Sequence, residues 1–201
     1  MPHADLLLIA AAIAAVVDWI AVARASKPLE WIAKPATLAL LLLWGAQGPH
    51  ATWALLAALT FSLLGDVYLM LPAELFLAGL SAFLVGHVFF VVAFDATMLA
   101  RGIWFVIVML VTAPLSLRLL RAAPDLPTRI AIGLYMTVIA LMVGSAIASG
   151  SRVAAAGALL FMASDAMIAL NRFVAPFAGA RLAIIVTYHL GQFLLVYALR
   201  A

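Results

Sequence analysis

Two aspartates lie inside otherwise apolar runs. Asp66 follows Gly65 in Leu59-Thr60-Phe61-Ser62-Leu63-Leu64-Gly65-Asp66-Val67-Tyr68-Leu69-Met70, and Asp165 follows Ser164 in Leu159-Leu160-Phe161-Met162-Ala163-Ser164-Asp165-Ala166-Met167-Ile168-Ala169-Leu170. In a membrane helix an ionisable side chain costs on the order of 2.5–3.5 kcal/mol even on the mildest insertion scale. Such a group is set against a partner or a wet cavity, and it is a functional-site candidate by default. Asp66 stands six residues before Pro72 and Asp165 six before Asn171. At 1.5 Å per residue both then lie roughly 9 Å inside a helix end. The matched depth predicts that the two carboxyls approach each other, or one shared water, in a cavity open to that end. A carboxylic acid beside a carboxylate supplies a general acid together with a base or a stabiliser of positive charge. Protons leave such a pair in steps that belong to both groups. The plainer role is structural: each aspartate accepts a hydrogen bond from a neighbouring Ser, Tyr or Arg and locks two helices together.

Other polar groups gather toward the same end. Lys34 precedes Pro35, and Asn171 and Arg172 close the run that holds Asp165. A basic group there can bind a lipid phosphate while the acid works deeper, and Arg172, seven residues from Asp165, shares its face on a continuous α-helix. Lys and Arg at helix ends also snorkel and set topology with no binding role. Glu74 suits a helix N-terminus. His87 and His189 lie within apolar runs, and Tyr68, Tyr135, Tyr188 and Gln192 can orient a carboxyl, a substrate or a water. Two histidines and two aspartates could make a metal site, but no His-x-x-x-His or Glu-x-x-His spacing supports one. Packing histidines held by hydrogen bonds are the plainer reading. Asp18 stands near the middle of the first apolar run, where a hydrogen bond into the bundle would hold it.

The elements that must position these groups are membrane helices. Hydrophobic residues make up 69% of the chain and charged residues 9%, against roughly 25% charge in a soluble domain. Runs of ~20 apolar residues suffice to cross a bilayer. The expectation is an all-α polytopic membrane protein forming a single domain over residues 1–201. The net charge of +3 is scattered over helix ends, so it is no nucleic-acid signal. With no cysteine, thiol catalysis, disulfides and cysteine-based metal sites are excluded. The first segment lacks a basic start and is too long for a signal core, so it reads as a retained helix.

Eight helices are predicted, over 5–23, 34–46, 51–70, 73–94, 102–119, 128–148, 153–170 and 181–199. Turn signals such as Ser26-Lys27-Pro28, Gln47-Gly48-Pro49, Ala123-Pro124-Asp125-Leu126-Pro127 and Ser149-Gly150-Ser151 separate them. The loops after the odd-numbered helices carry Arg24, Lys27, Lys34, Arg118, Arg121, Arg129, Arg172 and Arg181, and the other side carries Arg101, Arg152 and Arg200. The positive-inside rule then places the first set in the cytoplasm and both termini outside. A weak internal repeat is also visible. Asp66 precedes His87 by 21 residues and Asp165 precedes His189 by 24, which fits a parallel repeat of four helices plus four.

At these residues the chain resembles a known family. Ser62-Leu63-Leu64-Gly65-Asp66-Val67-Tyr68-Leu69-Met70, Phe83-Leu84-Val85-Gly86-His87, Leu160 through Phe173, Tyr188-His189-Leu190-Gly191-Gln192 and Lys34-Pro35 resemble, in order and spacing, the motifs of the YhhN-like lysoplasmalogenase family. Many members have a Tyr in the last motif where this chain has His189. The resemblance implies hydrolysis of the vinyl ether bond of a lysoplasmalogen to a fatty aldehyde and a glycerophospho-base, with no metal or organic cofactor. It implies Asp66 and Asp165 as catalytic carboxyls, with Lys34, Asn171, Arg172, Tyr68, His87, His189 and Gln192 around the substrate, and Tyr135, outside these motifs, is placed there by its residue type. The partners are then a lysophospholipid or other ether lipid and the membrane lipids. For a bacterial chain the membrane is the inner one.

Other readings fit the same residues. A proton-coupled transporter for lipids or small molecules would use the carboxylates as coupling groups. It would move substrate without changing it. An intramembrane aspartyl protease fits poorly, because its Gly-x-Gly-Asp motif is replaced by Leu63-Leu64-Gly65-Asp66. A purely structural membrane protein would leave every polar group merely hydrogen-bonded.

Overall fold

Short polar side chains start the helices. Thr52, Thr97 and Ser151 accept hydrogen bonds from the backbone N–H of Leu55, Ala100 and Ala154, each at 3.2 Å. Asp125 accepts from Thr128 N at 2.7 Å. Each satisfies one of the donors that a helix start leaves open. That N–H also holds the exposed Asp125 carboxyl below the usual carboxylate range. The stabilisation by this cap is therefore present above the ordinary carboxylate pKa and is lost as pH falls through the lowered value.

The computed structural model describes residues 2–71 and 75–201, with side chains from Asp5 onward. Glu74 and Pro72 lie outside the described residues. The helices are α1 (Pro2–Ala23), α2 (Lys27–Ala46), α3 (Trp53–Met70), α4 (Phe76–Ala93), α5 (Met98–Ala122), α6 (Leu126–Ala148), α7 (Arg152–Ala169) and α8 (Ala180–Arg200). A π-helical turn, Leu170–Val174, extends α7. Among the described residues eight helical segments are long and apolar enough to cross a membrane. The chain is an integral membrane protein.

Several boundaries differ from expectation: the fifth helix, expected over 102–119, runs Met98–Ala122, and two other differences bear on the site. The second helix starts at Lys27, not Lys34. Pro28 takes the first-turn place that suits proline, and Pro35 sits inside the helix, where it removes one backbone donor without ending the run. The seventh helix does not stop near Asn171. It widens into the π turn, closed by Ala175 N donating to Leu170 O at 3.0 Å. That i→i+5 turn interrupts the 3.6-residue period on which a shared face of Asp165 and Arg172 depends.

The chain divides into two compact units, one of Met1–Ala93 with Val196–Ala201, the other of Phe94–Leu195. In the first, α1 lies along α2, α2 along α3 and α3 along α4. α1 turns Leu6, Ile9, Ile13, Val16 and Ile20 outward and buries Ala11, Ala15, Asp18 and Ala21. Large apolar groups facing lipid and small ones between helices are the membrane pattern. The last turn of α8 is fastened within this unit: Arg200 O accepts from His50 N at 3.3 Å, and its guanidinium lies 4.0 Å from the Trp44 ring centroid. In the second unit α5 lies along α6 and α6 along α7, while the π turn packs on α5. Leu119, Ala123 and Ile132 form a core there with Leu170, Phe173 and Val174 against it.

Glycines set the closest approaches. A Cβ at Gly65 would stand 2.5 Å from the Phe83 ring, and one at Gly191 would stand 2.9 Å from both Gly157 O and Phe161 N. The second contact is backbone on both sides and cannot give easily. Gly191→Ala should therefore destabilise the protein by about 1–3 kcal/mol. Gly102, inside α5, has nothing within 4 Å of a built Cβ. Gly102→Ala should stabilise by roughly 0.5–1 kcal/mol through helix propensity. Unfolding midpoints in detergent should thus move in opposite directions. A lower midpoint for Gly102→Ala or an unchanged one for Gly191→Ala would contradict this packing.

Candidate active site

Asp66 and Asp165 occupy the same place in their helices. Each is the fourteenth residue of a helix that opens on a hydroxyl cap, α3 after Thr52 and α7 after Ser151. The apolar run around each carries its carboxyl into its own unit. The two then have different partners.

In the first unit Asp66 is 1% exposed, and its Oδ1 accepts from Lys34 Nζ at 3.1 Å. Because α2 begins at Lys27, Lys34 lies seven residues along it, about 10 Å from the helix start and deeper than an interfacial lysine. Its side chain is 13% exposed. A buried ammonium beside a carboxylate offsets much of the cost of burying either charge, provided the geometry is close. Gly65, next to Asp66, exists for Phe83, which fills the space a Cβ would need. Ser62, four residues before Asp66, is buried against Gly86. His87 follows Gly86, is 1% exposed, and bonds to the backbone of Phe83. Tyr68 is half-buried in the last turn of α3. Asp18 is fully buried in α1. Glu30 is buried near the start of α2, 3.3 Å from Lys27 Nζ.

In the second unit Asp165 is half-buried, and its Oδ2 accepts from the Tyr135 hydroxyl of α6 at 2.5 Å. Beside it, Ser164 donates to Ile184 O at 3.0 Å and ties α7 to α8. On α8, Tyr188, His189 and Gln192 are all buried, and Gln192 Nε2 donates to the Tyr188 hydroxyl at 3.4 Å. The Tyr188 ring packs edge-on to Phe161 and lies 5.5 Å from the His189 ring. In the π turn Asn171 Oδ1 accepts from Phe177 N at 3.2 Å. Arg172 is exposed, with its guanidinium 5.9 Å from the Phe173 ring centroid.

The structure thus joins Lys34 to Asp66 and Tyr135 to Asp165. Neither pairing is expected from spacing alone, although a helix start at Pro28 would have signalled that Lys34 is too deep for the interface. Among the described residues no cluster of three or more His, Asp or Glu side chains is placed to hold a metal ion.

Comparison with known proteins adds identity to this geometry. The model of the YhhN family matches residues 29–199. The chain is 35% identical to lysoplasmalogenase TMEM86B of Sus scrofa over 138 residues, 69% of this chain and 59% of that protein. It is 35% identical to lysoplasmalogenase TMEM86B of Homo sapiens over 144 residues, 72% of this chain and 62% of that protein. It is also 35% identical to the uncharacterized membrane protein YhhN of Escherichia coli O157:H7 over 78 residues, 37% of this chain and 38% of that protein. The aligned part thus spans about three-fifths of the two mammalian relatives, 59% and 62% of their lengths. No solved structure matches the chain.

Proposed function

The chain belongs to the YhhN family, and from that premise we propose that it is a lysoplasmalogenase-like hydrolase. It cleaves the vinyl ether bond of a lysoplasmalogen, or of a related ether lipid, inside the membrane. The family match includes both aspartates, and the 35% identity to proteins named lysoplasmalogenase supports this reading.

Vinyl ether hydrolysis starts with proton transfer to the alkene carbon remote from oxygen. The π pair forms the new C–H bond, and positive charge is shared by the adjacent carbon and the ether oxygen. Water adds to that carbon. The resulting hemiacetal collapses, its C–O bond to glycerol breaks, and the glycerol oxygen takes a proton. The products are a fatty aldehyde and a glycerophospho-base. The reaction asks for a general acid, and for a base or negative charge opposite the cation. We assign Asp165 as the acid, since its partner is the neutral Tyr135 phenol. We assign Asp66 as the carboxylate that stabilises the cation, since Lys34 holds it as an ion pair. We further assign toward the substrate Tyr68 and His87 of the first unit, and His189 and Gln192 of the second. Neither a metal nor an organic cofactor enters this scheme.

The same reading puts the polar ends of α3 and α7 at the cytoplasmic half of the membrane, with both termini outside, on the count of Lys and Arg in the loops. Asn171 and Arg172 then stand where a lipid phosphate lies. Arg172→Gln should raise KM roughly three- to tenfold and leave kcat nearly unchanged, as loss of uniform binding does. An unchanged KM with a phosphate-bearing substrate would return Arg172 to topology alone. The decisive test of the function is mass spectrometry of the purified protein with a defined lysoplasmalogen. Free aldehyde is expected. Transport of intact lipid across a vesicle membrane without aldehyde would favour a permease instead.

A further inference from the structure

The two units repeat one helix contact. A Cβ at Gly86 would meet Ala58 O at 3.2 Å and Ser62 Oγ at 3.4 Å, and one at Gly191 would meet Gly157 O and Phe161 N, both at 2.9 Å. Ala58 and Ser62 precede Asp66 by eight and four residues, and Gly157 and Phe161 precede Asp165 by the same intervals. Gly86 and Gly191 therefore hold corresponding places. The counterpart of His87 is the residue after Gly191, which is Gln192. The His87–His189 correspondence expected from spacing gives way to one between His87 and Gln192. At this place each unit buries a side chain able both to donate and to accept, His87 in the first and Gln192 in the second.

Gln192 is fully buried, and its Oε1 has no hydrogen-bond partner among the described residues. Its Nε2 donates to the Tyr188 hydroxyl at 3.4 Å. Tyr188 is 4% exposed, and Tyr135, which donates to Asp165, is buried in the same unit. Two hydrogen-bonded pairs, Asp165 with Tyr135 and Tyr188 with Gln192, thus lie in the second unit, and the latter carries a buried, unmatched acceptor. Buried polar atoms are almost always bonded to protein or to ordered water, and an internal water needs two or more polar partners. Gln192 Oε1 and the Tyr188 hydroxyl supply two.

We infer that Gln192 and Tyr188 hold the water that adds to the cation, an inference that rests on the acid role given to Asp165 above. After Asp165 has given its proton to carbon, it is a carboxylate in the same unit as the held water. The water oxygen bonds to the cationic carbon. The π pair returns to the ether oxygen, and the water's proton passes to the Asp165 carboxylate. The acid is thereby restored for the next turnover. One carboxyl gives and takes the same proton count, and no outside base is consumed.

The test uses the full-length protein in detergent and three variants. Hydroxyl-radical footprinting labels side chains next to bound water, so buried Tyr188 should be labelled in the wild type and protected in Gln192→Met. In Gln192→Met kcat should fall ~10- to 100-fold with little change in KM, as for an interaction made only after substrate binds. The solvent deuterium isotope effect on kcat should fall too, because water addition replaces proton transfer to carbon as the slow step. Tyr188→Phe, which deletes one oxygen, should lower the isotope effect in the same way. Gln192→His, which places an acceptor like that of the first unit, should restore most of the rate. An unlabelled Tyr188 in the wild type, or a full isotope effect in both Gln192→Met and Tyr188→Phe, overturns the inference. Absence of aldehyde from the wild type strikes the function proposed above, and labelling still decides the water site by itself.

Discussion

Asp66→Asn and Asp165→Asn should each abolish aldehyde release while leaving a folded protein in detergent. Asn keeps the shape of a carboxyl and can accept or donate hydrogen bonds, so Tyr135 retains a partner at position 165 and Lys34 one at position 66. What Asn cannot do is give up a carboxyl proton or carry negative charge opposite a cation. Loss of a general acid alone removes about 10²–10⁴ in rate, and loss of charge stabilisation is of similar size. Groups that act as a unit are non-additive. The double variant should be little worse than either single one. The wild-type rate should trace a bell against pH, one limb from the acid and one from the carboxylate. Aldehyde release against pH, for the wild type and the three variants, is the measurement. Substantial turnover by either single variant, with intact protein, would make that aspartate structural and remove the two-carboxylate mechanism.

Much of this architecture is legible in the residues. Long apolar runs separated by Gly, Pro and Ser predict eight spans, because hydropathy registers the bilayer directly. The prominence of Asp66 and Asp165 is legible for the same reason, since a charge in such a run is costly. Three features escape. Pro35 reads as a helix start, because proline is common there. Yet Pro28 already fills that place, so Lys34 moves from the interface to the side of Asp66. The π turn at Leu170–Val174 has no periodic signature, so the 3.6-residue period does not carry from Asp165 to Arg172. His189 draws attention as a second histidine, but Gly191 against Gly157 sets the register of α8. That makes Gln192 the residue in step with His87. Spacing along a helix tells which residues share a stripe. It does not tell which neighbouring helix the stripe meets, and the pairings of Lys34 and Tyr135 depend on the latter.

The ion pair of Lys34 and Asp66 leads to the second large expected effect, on stability. Lys34→Met should cost about 3–5 kcal/mol, because it removes the ammonium 3.1 Å from a carboxylate that is 1% exposed. Asp66→Asn should cost much less, on the order of 1 kcal/mol, the net worth of a typical lost hydrogen bond. The asymmetry comes from the stems. Lysine has four methylenes and is 13% exposed, so an abandoned ammonium can reach toward the interface. Aspartate has one methylene and cannot follow. Lys34→Met combined with Asp66→Asn should then be close to Asp66→Asn alone, since the second change removes the uncompensated charge that the first creates. Denaturation in detergent of the wild type, the two single variants and the double variant gives the coupling directly. A double variant whose loss equals the sum of the single losses would mean that the two side chains do not share a pair. In that case the charge of Asp66 would need another source of compensation, and its assignment as the cation-stabilising carboxylate would lose its support.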